Sequence, residues 1–174
     1  MTFSAFSHFL ALCARDRETS DDTPFISRPY PSGGGIYSLE IYPVLAECAV
    51  ESTSAGLYRY LPELHRLQKL PASGPICFSY LESAGASAAA PPPPVVLLIT
   101  SHFARQAAIY GALAYSLILK EVGCLFQTMY LAAEHLQLSG CALGGGISGS
   151  RLARICGTSE LAEPLVGEFL LGPR

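Results

Sequence analysis

The chain reads as an α+β fold, with hairpin strands dominating the first half and helices the second. Two observations carry this. Gly56-Leu57-Tyr58-Arg59-Tyr60 and Arg66-Leu67-Gln68-Lys69-Leu70 have the patterning of two hairpin arms, with Pro62-Glu63-Leu64-His65 between them. From residue 103 to 138 the apolar positions recur instead at helical intervals, on nearly every side. A doubly wound parallel sheet needs strand and helix to alternate along the whole chain. They do not.

Taken in order, Phe3, Phe6, Phe9, Leu10 and Cys13 fall at helical spacing and predict a first short helix. The polar run 15–23 follows as a linker, so 1–23 reads as helix plus linker and 24–174 as a single domain. A loop then carries Pro29 and Pro31, which fix the backbone, and Gly33, Gly34 and Gly35, which clear it of side chains. Residues 36–50, rich in Tyr, Val and Ile, predict a long strand. A short helix is expected over 75–83, and loop or polyproline II over 84–94, where four prolines stand together. Residues 95–101 are continuously apolar, as in a buried strand. The helical stretch 103–138 is closed by Ser139-Gly140. A short strand over 141–143, a small helix over 149–155 and a last strand over 164–171 complete the chain.

Half of the 174 residues are hydrophobic and 14% are charged, against roughly 25% charged in an ordinary soluble domain. So little charge implies apolar surface covered by a partner, most simply a second copy. The apolar run 94–100 is far shorter than the roughly 20 residues that a bilayer span requires. No basic region precedes the first apolar residues, so secretion is not indicated and the expected compartment is the cytoplasm. A net charge of −3, with cations scattered singly, argues against a nucleic-acid surface. The six cysteines and four histidines are isolated, without C-x-x-C or paired histidines. No metal site is expected, and the cysteines read as reduced, buried thiols.

Two glycine segments stand out. In Ser27-Arg28-Pro29-Tyr30-Pro31-Ser32-Gly33-Gly34-Gly35 the main chain is open to a flat or anionic ligand, and Arg28 supplies a planar cationic fork. A tight turn leading into the strand explains the same glycines equally well. Gly144 to Gly149 spells G-x-G-x-x-G, yet only 25 residues follow it, too few for the βαβ unit of a dinucleotide fold. That segment is a ligand edge or a place of close helix–strand packing. G-x-S-x-G, Walker A and H-E-x-x-H motifs are absent, so hydrolase and NTPase chemistry have no support.

The order of Arg28-Pro29-Tyr30-Pro31-Ser32-Gly33-Gly34-Gly35, Leu39-Glu40-Ile41-Tyr42 and Gly56-Leu57-Tyr58-Arg59-Tyr60 resembles the nitroreductase superfamily. More narrowly it resembles the SagB-type, or azoline dehydrogenase, branch. Arg105, Tyr110-Gly111, Glu121-Val122-Gly123, Gln127 and Phe169-Leu170-Leu171-Gly172 continue the likeness, which covers about residues 27 to 172. The resemblance implies an antiparallel sheet wrapped by helices, in an intertwined homodimer with FMN sites built from both chains. It implies oxidation of thiazoline or oxazoline rings on a peptide or carrier-bound substrate. Carried over by position, Arg28, Pro31, Ser32, Gly33 and Gly34 line one side of the flavin. Gly144, Gly145 and Gly146 let backbone approach the ring from another side, Gln127 faces the same pocket, and Tyr110 handles protons. The departures are specific. Members carry Lys-Tyr where this chain has Ile109-Tyr110, Tyr-Arg where it has Tyr115-Ser116, and Gly-His where it has Gly123-Cys124. Only Arg15 and Arg17 stand where many members have a phosphate-binding arginine cluster. The alternative is therefore a catalytically silent scaffold, or a partner subunit of a biosynthetic complex.

Overall fold

The computed structural model describes residues 1–17, 26–145 and 148–174. Its centre is one antiparallel sheet of six strands: β1 (Leu39–Leu45), β2 (Gly56–Leu61), β3 (Arg66–Lys69), β4 (Val95–Ser101), β5 (Leu138–Leu143) and β6 (Leu165–Pro173). They lie in the order β3-β2-β1-β4-β6-β5, with every neighbouring pair antiparallel. Helices α1 (Phe3–Ala14) and α4 (Ala114–His135) cover one face. Helices α2 (Gly74–Ser87) and α5 (Gly149–Cys156) cover the other, and α3 (Phe103–Tyr110) leads into α4.

The two-residue period of the strands sorts their side chains between these layers. Leu39, Ile41, Leu97, Ile99 and Phe169 join Phe6, Phe9, Leu10, Ile118, Leu125 and Met129 in the core under α1 and α4. Tyr42, Val44, Val96 and Leu98 meet Cys77, Tyr80, Leu81 and Leu152 under α2 and α5. Every residue of β4 is buried, which is why that segment is apolar without alternation.

Four boundaries differ from the sequence expectation, each for a local reason. The strand expected over 36–50 shrinks to β1, because Tyr37 before it and Cys48 and Ser52 after it take positive φ. Helix α2 runs on through Ala84 to Ser87, since Cys77, Tyr80, Leu81 and Ala84 keep one apolar stripe against the sheet. At Gly85 a Cβ would lie 2.8 Å from the carbonyl oxygen of Ala90, so glycine lets the returning chain cross. The stretch 103–138 is broken at Gly111, whose φ of 52° and ψ of −126° suit glycine alone. A 3-10 turn over Gly111–Leu113 then redirects the chain into α4. Finally, α4 stops at His135 and Gly140 lies inside β5 rather than ending a helix. A Cβ there would sit 2.6 Å from the Phe169 ring, so this glycine serves close packing in a strand.

The part of the expected linker at 18–23 lies outside the described residues; Arg17 and Ser27 on either side of it form an antiparallel bridge. By length and composition Phe103–His135 is apolar enough to cross a bilayer. Here its inner face, with Ile118, Val122, Leu125 and Met129, is core.

Candidate functional site

The Pro-Ser-Gly loop is held from within. The Ser32 hydroxyl accepts the Tyr37 N–H at 2.9 Å, and the Ser32 carbonyl accepts the Gly35 N–H at 3.1 Å, closing a 3-10 turn. Gly34 sits at φ +66°, and a Cβ on it would lie 2.5 Å from the Tyr110 hydroxyl. A Cβ on Gly33 would lie 3.7 Å from Leu117. The structure thus brings Tyr110, half-buried at the end of α3, onto the glycine turn. Ser32 and Gly33 are half-buried, while Pro31 and Gly34 are exposed.

Beneath the loop lies a buried polar group that sequence reading did not assemble. Arg28 is only 8% exposed. Its Nε donates to Asp16 at 2.8 Å, and its Nη1 donates to the Leu39 carbonyl at 3.0 Å and to the Tyr30 hydroxyl at 3.4 Å. Burial works against its charge, but Tyr30 and Asp16 outweigh it and raise the pKa. Two of the nitrogens expected to grip a phosphate are therefore committed inside the chain. Beside it Glu121, on α4, is 2% exposed and accepts from Gln106 Nε2 at 3.1 Å. Burial pushes its carboxyl up, against the opposing pull of Ser32, Gln106, Arg28 and the Ser38 backbone. One signal was present: Glu121 occupies a core position in the Ile118, Val122, Leu125 pattern.

The second glycine segment follows β5. Gly144 and Gly145 are exposed, and a Cβ on either would meet nothing within 4 Å. They border a cavity of about 380 Å³ whose other walls include Tyr115, Leu119 and the start of β6. Gly146 lies outside the described residues. Gln127 is exposed on α4, in the line Tyr115, Leu119, Gly123, Gln127, Leu131, all of them exposed.

Within one chain the two segments do not meet. Leu117 touches the first, while Tyr115 and Leu119 border the second. Residues two apart on a helix point about 200° away from each other, so α4 stands between them. Ile109, where the lysine is missing, is 66% exposed. Lys120 is exposed, and Arg174 pairs with Glu134 and Gln137.

A further network, on the α2 and α5 face, explains two motif residues. Glu40 takes Arg59 on one oxygen at 3.1 Å and His102 Nε2 on the other at 3.2 Å. Glu163 accepts from the Tyr42 and Thr100 hydroxyls, each at 2.7 Å. Alternation along β1 puts Glu40 and Tyr42 on one face, but their partners come from distant segments. Of the cysteines, all free, Cys13 and Cys77 are buried. The others depart from the expectation of core thiols: Cys48, in a positive-φ turn, and Cys141, on edge strand β5, are exposed, while Cys124 and Cys156 are half-buried.

Residues 7–172 match the Nitroreductase family. The chain belongs to the nitroreductase family. Its similarity to the Escherichia coli microcin B17-processing protein McbC is 26% identity over 154 residues, 87% of this chain and 56% of McbC. A nitroreductase-type protein of Methanocaldococcus jannaschii is 29% identical over 114 residues, 66% of this chain and 56% of its own length. The chain thus spans about half the length of the curated relatives it matches. The fold matches a chain of the Escherichia coli microcin synthetase McbBCD complex at TM-score 0.81 and 22% identity, covering 100% of this chain and 64% of that one. It also matches a nitroreductase-type structure from Desulfovibrio desulfuricans in complex with FMN, at TM-score 0.51 and 15% identity, covering 97% and 84%. The nitroreductase-like α+β fold expected from the sequence is the fold found.

Proposed function

We propose that this nitroreductase-family chain is the flavin-binding part of an FMN-dependent oxidoreductase. Its substrate would be an azoline-type ring on a peptide or carrier, and its compartment the cytoplasm. One observation carries the reading: two side-chain-free segments of main chain, on opposite sides of α4, each adjoin a helix face that no described element covers. A second copy packed on that face brings the Gly33–Gly34 turn of one protomer toward Gly144–Gly145 of the other. The microcin-processing relative and the FMN-bound neighbour supply the class of chemistry.

FMN, when bound, supplies a two-electron acceptor. The chain's residues do the rest. Open backbone at Gly144 and Gly145 would border the flavin ring, and a main-chain N–H there would steady negative charge on it. Ser32, Gly33 and Gly34, with Pro31, form the opposite wall, and Gln127 extends along the helix face. Arg28 holds that wall in place through Asp16 and the Leu39 carbonyl. The Tyr110 hydroxyl rests on the glycine turn, and Tyr110 is the residue we assign to move a proton. Ile109 transfers none and offers an apolar wall.

The test is spectroscopic. Purified protein, with FMN added, is expected to hold flavin absorbance through gel filtration and, with an azoline-type ring as electron donor, to reduce an artificial acceptor. Tyr110→Phe is expected to keep the flavin and lose turnover. Protein that binds no FMN overturns the reading. The alternative, a silent scaffold or partner subunit, draws on Ile109 in place of lysine and on the internal commitment of Arg28. Tight FMN binding without reduction by any donor selects it.

A further inference from the structure

On the far side of the sheet's β2–β3 end, a cavity of about 340 Å³ opens between α1 and the hairpin. That lies within the roughly 300–1,000 Å³ of small-molecule sites. Phe3, Phe6 and Tyr58 give it aromatic walls, and no carboxylate is among its described lining residues. Arg66 stands at the rim and makes no ion pair among the described residues.

A directed chain of hydrogen bonds ends in the same place. The Tyr60 hydroxyl lies 2.8 Å from His65 Nδ1, and His65 Nε2 lies 2.9 Å from the Ser7 hydroxyl. The proton positions follow by counting. Tyr60 is 1% exposed and burial pushes its phenol up, so it stays protonated and donates to its partner, Nδ1. Burial, with Arg15 and His8 nearby, lowers the His65 pKa and favours the neutral ring. A neutral ring that accepts on Nδ1 carries its proton on Nε2 and donates it to Ser7. The Ser7 hydroxyl proton is then free for a third group. In this tautomer His65 donates to Ser7 rather than serving as its base, so the trio does not act as a nucleophilic triad. It is a donor relay.

We propose that this cavity binds a small aromatic monocarboxylate, its ring among Phe3, Phe6 and Tyr58 and its carboxylate between Ser7 and Arg66. Charge complementarity selects the occupant: among the described residues, a guanidinium without an ion pair, an outgoing hydroxyl, and no acid lining the cavity. The site does not depend on the flavin reading.

Calorimetric titration of the whole protein with 3-phenylpropionate tests it, with 3-phenylpropanol as the neutral counterpart. Saturable one-to-one binding of the acid is expected, with the alcohol about tenfold weaker. Ser7→Ala and Arg66→Gln should each weaken the acid by about tenfold, with no change for the alcohol. Tyr60→Phe frees His65 to accept from Ser7, and is expected to weaken the acid a few-fold without touching it. Circular dichroism confirms that each variant is folded. Phe78→Ala, in a separate groove beside α2, should change nothing. No saturable binding, equal affinity for acid and alcohol, or indifference to Ser7→Ala and Arg66→Gln would each overturn the proposal.

Discussion

Two buried glutamates of this chain answer to pH in opposite directions, because their surroundings differ. Glu40 is buried, which works against its charge, but His102 and Arg59 more than offset this and hold its carboxyl below the usual range. Its stabilising effect is therefore complete above the unfolded carboxylate pKa and is lost as pH falls through the folded value. Glu40→Gln is expected to cost about 2 kcal/mol at neutral pH. That is less than the 3–5 kcal/mol typical of a broken, fully buried pair, because Arg59 and His102 keep contact with water. The penalty should shrink in acid. Glu121 is the reverse case, since burial raises its carboxyl despite Ser32 and Gln106. Its favourable contribution belongs to low pH and is lost as pH rises through the folded value. Glu121→Gln is expected to stabilise the protein by about 1 kcal/mol at neutral pH and to make no difference in acid. Urea unfolding over a pH series checks both, and parallel pH profiles for the two variants would contradict this account.

At the scale of elements, the glycine turn and the end of α3 are set by one contact. Gly34→Ala places a Cβ where the Tyr110 hydroxyl now is and forces an alanine into positive φ. It should destabilise by about 1–2 kcal/mol and displace Tyr110. In a Tyr110→Phe background the obstructing oxygen is gone, with the nearest ring carbons 3.4 Å away. The cost of Gly34→Ala is then expected to fall by about 0.5–1 kcal/mol, a coupling that a double-mutant cycle measures directly. The same pair shows what sequence could and could not reveal. The loop, the hairpin and strand β4 are legible because proline, glycine, alternation in the hairpin and an unbroken apolar run in β4 all act locally. Gly111 gives no local sign of a break, since an isolated glycine in a helical pattern is usually tolerated. Gly140 looks like a helix end in sequence because its actual reason, the Phe169 ring, lies on a strand far along the chain. Arg28 was legible as a cation beside the loop, but its partners Asp16 and the Leu39 carbonyl exist only once the chain folds.

At the scale of the whole molecule, the question is what covers α4. Tyr115, Leu119, Gly123, Gln127 and Leu131 recur every four residues, so they form one ridge along the helix. Tyr115 is 60% and Leu131 63% exposed, although both are large and apolar. Gly123 stands midway along that ridge with nothing within 4 Å of its would-be Cβ, which leaves room for a second helix to approach. Ridges spaced by four most often interdigitate with their own kind, which suits a twofold axis through Gly123. Gly123→Arg therefore fills the crossing point without disturbing any contact inside one chain. Its expected effects are an unfolding midpoint for the isolated chain that is no lower, and slightly raised by the better helix former, at least about tenfold weaker self-association by sedimentation, and loss of bound FMN in proportion. The proportionality is the decisive part. The proposed flavin site would take its two glycine walls from different protomers, because α4 separates those walls within either one. A Gly123→Arg monomer that still retained FMN would place the whole site in a single chain and remove the reason for the pairing. A wild-type chain that stays monomeric at high concentration, yet gains FMN affinity when a different subunit is added, would assign the ridge to that subunit instead.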